Sequence, residues 1–329
     1  IGFPEEYGGS GGGTIELCLV IEEISRVCAA TGAILLASTG LTTVPIYVHG
    51  NEEQRKRFVT PVAAGEKLAA FALTEAGAGS DPASLETTAT RDKNGYRLNG
   101  TKIFITNGAE AGIILVFATI DRSLRHKGIA AFIVEKDAPG FSVGKHEPKL
   151  GIRGSSTVEL VFEDCFVPEE NRLGNEGEGF KIALNAIDAS RVVVAAQALG
   201  IAQGAFDKAL AYAKERQQFG QPIINFQAIQ WMLADMATQI DAARLLTYRA
   251  AYLQDSGQPF IKEASMAKVF AAETSSFVTN KAVQIFGGYG YIKEYPLERY
   301  LRDAKITEIY EGTSEMQRMT IARQLMRES

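Results

Sequence analysis

One carboxylate in this chain stands where it could act as a base. In RDAKITEIYEGTSEMQR at 302–318, Glu311 follows Ile309 and Tyr310 and precedes Gly312, and Thr313 or Ser314 can cap a helix with Glu315 or Gln317 nearby. Two readings of the segment are open. It is either a capped helix–helix turn with a solvated Glu, or it sets Glu311 at the mouth of an apolar pocket lined from a helical bundle. In the second case loss of water raises a carboxylate's pKa and makes it a better base. The stretch LTEAGAGSD at 73–81 joins glycines to Thr74, Ser80 and Asp81. Bare amides and hydroxyls of that kind suit the polar edge of a ligand or a phosphate, with a plain turn as the alternative. Arg191 and Arg216 lie in apolar helical surroundings, where each can grip a phosphate or form a surface pair. GGSGGG at 8–13 lacks both the GK[ST] ending of a P-loop and a flanking strand, and reads as a surface loop.

Composition removes several other chemistries. The 329 residues carry 34 basic and 39 acidic side chains, a net charge of −5, with the acidic excess before Glu176. No basic stripe favours nucleic acid. The apolar runs look shorter than the roughly 20 residues a membrane span needs. Three cysteines, Cys18, Cys28 and Cys165, form no CxxC pattern, which points to a reducing compartment such as a bacterial cytoplasm or a mitochondrial matrix. His49, His126 and His146 have no metal-motif spacing, so no metal is expected. The opening IGFPEEYGGSGGGT reads as a loop in mid-chain, and an earlier N-terminal piece is expected.

Three textures must position these residues. From Thr14, a plausible N-cap, to about residue 70 the period is helical. From 71 to about 170 it becomes that of strands, with Asn94-Gly95, Asn99-Gly100 and Asn107-Gly108 as hairpin-type turn signals. Runs at 112–120, 128–137 and 156–168 are rich in β-branched and aromatic residues, as in a small antiparallel β domain or barrel. From 176 onward the chain is helical: Ile229, Leu233, Met236, Ile240 and Ala243 form the seam of a bundle. Helices are expected near 178–215, 225–256, 259–286, 297–302 and 314–326, with GGYGY at 287–291 breaking the third.

Five blocks in order, AFALTEAGAGSD (70–81), NGTKIFITNG (99–108), KLGIRGSST (149–157), AAQALGIAQGAFDKALAYAKERQQFGQPI (195–223) and AVQIFGGYGYIKEYPLERYLRDAKITEIYEGTSEMQR (282–318), closely resemble the acyl-CoA dehydrogenase family, and within it the short-chain branch. The resemblance implies a multi-domain α+β fold. Its parts would be the remainder of an N-terminal helical domain (1–70), truncated by some fifty residues, a middle antiparallel β domain (71–175) and a C-terminal four-helix bundle (176–329). It further implies FAD, an acyl-CoA substrate, an electron-transferring flavoprotein as partner, and a homo-oligomer, a tetramer built as a dimer of dimers.

Carried over by position, the resemblance puts Phe71, Leu73, Thr74, Gly79 and Ser80 along the flavin, Ser80 being shared with the CoA ligand. Phe104, Ile105 and Thr106 would flank the isoalloxazine. Arg216, Phe219, Gln227, Gln284, Ile285, Phe286, Gly287 and Gly288 would reach the FAD of a neighbouring subunit, and Thr313, Ser314 and Glu315 its phosphate region. Asp188, Ala189, Ser190, Arg191, Tyr310 and Gly312 would face the acyl-CoA, and Glu311 matches the catalytic base. Two positions depart from the family pattern: Ala76 replaces a usual proline, and Phe104 a usual Trp. Related activities on another acyl group, an enoyl-CoA reductase, and a flavin-free interaction bundle are the alternatives.

Overall fold

Alternation along two apolar strands builds both faces of the sheet that dominates the first half of the chain. The computed structural model describes residues 1–327 and divides into two compact units. The first comprises Ile1–Gly13, Ile34–Pro148 and Ser155–Ser190; the second Thr14–Ala33, Lys149–Gly154 and the residues from Arg191 on. Packing thus moves Thr14–Ala33 to the bundle and 155–190 to the sheet, where the sequence suggests breaks near 70 and 175.

The sheet unit contains β1 (Ala69–Ala72), β2 (Thr88–Asp92), β3 (Gly95–Thr106), β4 (Ile113–Thr119), β5 (Ile129–Glu135), β6 (Phe141–His146), β7 (Thr157–Pro168) and β8 (Arg172–Leu173). Their order is β6-β7-β3-β2-β4-β5-β8, with β1 beside β4. The pairings are antiparallel, except that β1 runs parallel to β4 and Thr88 of β2 pairs in parallel with Thr119. Ile113, Leu115 and Phe117 enter one core, joined by Phe3, Ile46, Phe58 and Ile182. Ile114, Val116 and Ala118 enter another, closed by Tyr96 and Leu98 of β3 and by Val158 and Leu160 of β7. Strands buried on both faces lose the polar alternation of a half-exposed strand, which explains the continuous apolar runs.

The three Asn-Gly signals do different work. Asn94-Gly95 lies at the β2–β3 hairpin, whose strands meet at Asp92 and Gly95. Asn99-Gly100 is not a turn: it lies inside β3, at a register shift against β7 between Leu98 and Gly100. A β-carbon on Gly100 would lie 2.6 Å from the Thr87 hydroxyl, and its φ is +148°. The glycine therefore admits a bulge and a close backbone approach. Asn107 (φ +62°) ends β3, and its buried amide donates to the carbonyls of Ile34 (2.9 Å) and Ala69 (3.3 Å).

The bundle unit is built from α1 (Thr14–Val27), the part of α2 (Gly179–Glu215) from Arg191 on, α3 (Gln227–Asp255), α4 (Ile261–Phe286), α5 (Leu297–Ala304) and α6 (Ser314–Leu325). Leu233, Met236, Ile240 and Ala243 are buried along α3 as their spacing requires. Gly287 (φ +59°) ends α4, its N–H returning to the carbonyls of Val283 and Gln284. Thr14 is not the N-cap but the first residue of α1. Asp255 caps the helix from the end of α3, accepting from Thr14 N at 2.7 Å and Ile15 N at 3.0 Å. The segments Ala29–His49 and Gly179–Glu215 are, contrary to the reading of short apolar runs, long and apolar enough to cross a membrane. In each, 72% of the most apolar 18-residue window is buried inside the chain, as in core helices.

Asp255 satisfies two of the amides a helix start leaves orphaned and places negative charge at its positive end. Asp255→Ala is expected to cost about 1 kcal/mol, read as a lower urea midpoint at unchanged slope. Asp255→Asn should recover most of it, and an Ala variant as stable as the parent would remove the capping role.

Candidate active site

In the sheet unit, the loop after β1 is held from beneath by a buried ion pair. Glu75 accepts from Lys102 Nζ (2.6 Å), Glu86 N (2.5 Å) and Thr87 N (2.9 Å), and Lys102 Nζ also donates to Leu73 O at 3.0 Å. Lys102 is fully buried and Glu75 nearly so. Burial pushes the Lys102 ammonium down to about 8 against the pull of Glu75. Burial alone would raise the Glu75 carboxyl, but the Lys102 charge and the hydrogen bonds bring it below its ordinary value. Two further bonds between Glu75 and Ala78 tighten the turn, so that Gly79 and Ser80 stand exposed at its tip and Thr74 is half-buried. Leu73 faces the core, and the partly buried Phe71 packs its ring 4.9 Å from that of Phe117.

Lys102 also marks the start of a second irregularity in β3. Between Lys102 and Ile105 the register against β7 shifts, and Phe104 has φ +58°. A left-handed backbone at a bulky residue is strained, and such strain concentrates at functional positions. Its result is an aromatic ring that stands 60% exposed. Ile105 turns into the core and Thr106 is half-buried, so of these three Phe104 alone presents a whole side chain outward. Asp188 and Ala189 of α2 are half-buried and Ser190 is buried.

In the bundle unit, Glu311 lies in the turn between α5 and α6, half-buried, with φ +53°. Thr313 caps α6 by accepting from Met316 N at 3.3 Å. Gln317, fully buried, turns back and donates from Nε2 to Gly312 O (2.8 Å) and Glu311 O (3.3 Å). Lys268 of α4, also fully buried, donates from Nζ to Gly312 O at 2.7 Å. Gly312 has φ +94°, which favours glycine, and a β-carbon there would lie 2.8 Å from Gln317 Nε2, so Gln317 would have to shift. Tyr310 donates to Gln197 Oε1, and burial together with the Glu311 charge raises its phenol well above the usual range. Ser314 is buried and Glu315 exposed.

The same unit assembles most of the residues expected to meet a flavin from outside. An open pocket of about 420 Å³ is lined by Arg216, Ile285, Phe286, Gly287 and Gly288 among others. Phe286 stacks on Tyr212 at 4.0 Å, and the Arg216 guanidinium lies 5.6 Å from the Tyr289 ring centre. Gln284 is exposed beside this pocket and Gln227 is exposed at the start of α3. Phe219 and Gly220 form a hairpin tip with φ +53° and +79°, leaving the Phe219 ring 93% exposed.

Residues 1–66, 70–165 and 177–326 match, in order, the N-terminal, middle and C-terminal domains of acyl-CoA dehydrogenase. The chain belongs to the acyl-CoA dehydrogenase family. It is 53% identical to the short-chain specific acyl-CoA dehydrogenase of Clostridium acetobutylicum, over 99% of this chain and 86% of that protein. It is equally 53% identical to the acryloyl-CoA reductase (NADH) of Anaerotignum propionicum, over 99% of this chain and 83% of that protein. Among solved structures, the butyryl-CoA dehydrogenase of Megasphaera elsdenii superposes with a TM-score of 0.98 at 49% identity, over 99% of this chain and 86% of that one. A chain in the structure of the electron transferring flavoprotein of Acidaminococcus fermentans, studied for flavin-based electron bifurcation, superposes with a TM-score of 0.99 at 53% identity, over all of this chain and 86% of that one.

An acyl-CoA dehydrogenase is a flavin-dependent oxidoreductase, and FAD is its cofactor. The residues present fit that group: a β-carbon on Gly79, Gly287 or Gly288 would meet nothing within 4 Å, which leaves their backbones open to a ligand. Phe104 offers an aromatic face, and Arg216 a cation for phosphate. Among the described residues no group of His, Cys, Asp and Glu could hold a metal ion. Sequence reasoning overlooked Glu75, Lys102 and Lys268, and named Gln317 only as a neighbour of the α6 cap. A signal existed for Lys268, which shares a helical face with Ala264 and Ala271 and so falls on the buried side of α4.

Glu75→Gln would leave the Lys102 ammonium buried without its counter-charge, an expected loss of about 3–5 kcal/mol, read by urea unfolding and accompanied by poorer FAD loading. Adding Lys102→Met should restore most of the stability; a double variant as weak as the single would refute the pairing. Because the folded Glu75 value lies below its ordinary 4.5, the parent keeps this stabilisation above about that pH and loses it as pH falls through the depressed value.

Proposed function

We propose that this acyl-CoA dehydrogenase oxidises the Cα–Cβ bond of a short-chain acyl-CoA thioester to the trans-2-enoyl-CoA, with Glu311 taking the α proton and an electron-transferring flavoprotein receiving the electrons. The observation that carries this reading is the Glu311 turn: a carboxylate on a left-handed backbone, held through its own and its neighbour's carbonyls by two fully buried side chains. Such rigidity suits a base that must meet one carbon–hydrogen bond. The short-chain and butyryl-CoA relatives support the substrate class, and the Acidaminococcus structure supports the acceptor.

Bound FAD supplies the hydride acceptor for the β hydrogen. The chain's residues do the rest. Glu311 accepts the proton on its carboxylate, while its backbone N–H would donate to the thioester oxygen as charge develops there. Arg191 and Tyr310 bound the acyl side, with Asp188, Ala189, Ser190 and Ser80 as further substrate contacts. Phe104, with Thr74, Gly79 and Ser80, would hold the flavin. Arg216, Phe219, Gln227 and the segment Gln284–Gly288 would hold the flavin of a second copy, with Thr313–Glu315 for its phosphate region, in a tetramer.

Glu311→Gln keeps shape but cannot accept a proton. It should retain FAD and butyryl-CoA binding while flavin reduction slows at least ~10²–10⁴-fold, followed by stopped-flow bleaching of the flavin. A near-parental rate would place the base elsewhere.

The acryloyl-CoA reductase relative favours a second reading, reduction of a short enoyl-CoA. The isolated protein is expected to turn over butyryl-CoA faster than octanoyl- or palmitoyl-CoA with a dye or an electron-transferring flavoprotein, and to leave NAD unreduced. Rapid NADH-dependent reduction of acryloyl-CoA by the isolated chain would decide for the second reading.

A further inference from the structure

Lys268 is a charge where helix packing asks for none. It lies in the first third of α4, fully buried, on the face that carries Ala264, Ala267, Ala271 and Ala272. A methionine or leucine would pack there without taking an ammonium out of water, which costs several kcal/mol unless the ion finds oxygen partners. The partner it finds is the carbonyl of Gly312, 2.7 Å away. Gln317 converges on the same carbonyl from α6.

The charges that face Lys268 come from several elements: Glu311 in the turn, Arg191 on α2, Glu308 before the turn and Glu315 on α6. Glu311 is the foremost of them and favours the ammonium form. By the symmetry of a charge pair, the ammonium favours the Glu311 carboxylate to the same extent.

We propose that Lys268, assisted by Gln317, is a positioning residue for the α-proton abstraction: its ammonium holds the Glu311–Gly312 turn through the Gly312 carbonyl, and its charge keeps Glu311 ionised as a base. The proposal rests on the reading of Glu311 as base. It assigns the two functions to different properties of one side chain, a hydrogen-bond donor and a positive charge, which can be removed separately. Burial also draws the ammonium down to about 8, so the parent sheds this charge under mildly alkaline conditions.

The test uses FAD-loaded parent, Lys268→Gln and Lys268→Met, with flavin reduction by butyryl-CoA measured from weakly acidic to weakly alkaline pH. Lys268→Met should slow the limiting rate about 10- to 100-fold at neutral pH, with the half-saturating butyryl-CoA concentration little changed. Lys268→Gln keeps a donor for Gly312 and should recover part of that rate. In both variants the acid limb of the rate profile should move to higher pH, and an alkaline change near pH 8 seen in the parent should vanish. A Met variant with parental rate and parental acid limb would overturn the proposal. If that variant fails to fold or to hold FAD, Lys268→Gln decides alone, and an unmoved acid limb overturns it. A parent whose flavin butyryl-CoA does not reduce, or a Glu311→Gln variant as fast as the parent, would instead remove Glu311 as the base, and this proposal with it.

Discussion

A lysine ammonium withdrawn from water must find oxygen, and in this chain that demand shapes the backbone that carries the chemistry. Lys268 meets it at the carbonyl of Gly312, one residue beyond Glu311. Lys102 meets it at the Glu75 carboxylate and the carbonyl of Leu73, directly behind Thr74. In each case the buried cation bonds to a loop that has no regular secondary structure to hold it. A loop satisfied only by water can shift at little cost, whereas one that would orphan a buried charge by shifting is pinned by several kcal/mol.

That pinning makes strain affordable. Phe104, Phe219 and Glu311 all have φ between +53° and +58°, a region that costs side-chain-bearing residues of order 1–3 kcal/mol each. Phe104 and Phe219 present their rings outward, and Glu311 is half-buried. The Phe104 ring leaves the sheet because a bulge begins just after Lys102, and the Glu311 turn is tied by Gln317 and Lys268. Strain at these positions fixes where the side chain points, and the anchored neighbours prevent it from relaxing.

Each compact unit carries its own set of candidate residues. The sheet unit carries the exposed Phe104 ring and the glycine-tipped loop after β1. The bundle unit contributes the carboxylate, the arginine beside it and the aromatic pocket around Arg216. Its α4 is rich in alanine on the buried side, and this small-residue packing gives the long Lys268 side chain room to run to the Gly312 carbonyl. Glu311 itself lies in the turn before α6, where two fully buried side chains, Lys268 and Gln317, bond to the backbone beside its carboxylate.

Periodicity and capping chemistry are local properties, and what depends on them could be read from residue order alone. The seam at Leu233, Met236, Ile240 and Ala243, the Thr313 cap, the break at Gly287 and the strand-rich middle all emerge from neighbours within a few residues. The block resemblance carried the family and the candidate residues. Contacts between distant residues were not legible. Asn99-Gly100 has the composition of a turn, yet the approach of Thr87 makes it a bulge. Thr14 has the composition of a cap, yet Asp255, 241 residues away, does the capping. Lys102 looks like an ordinary surface lysine, and Lys268, although its spacing puts it on the alanine face of α4, has no visible partner, until Glu75 and Gly312, 27 and 44 residues away, arrive beside them. Burial of a charge is a property of the folded surroundings and not of the residue, so only the tertiary structure could decide which lysines hold the site together.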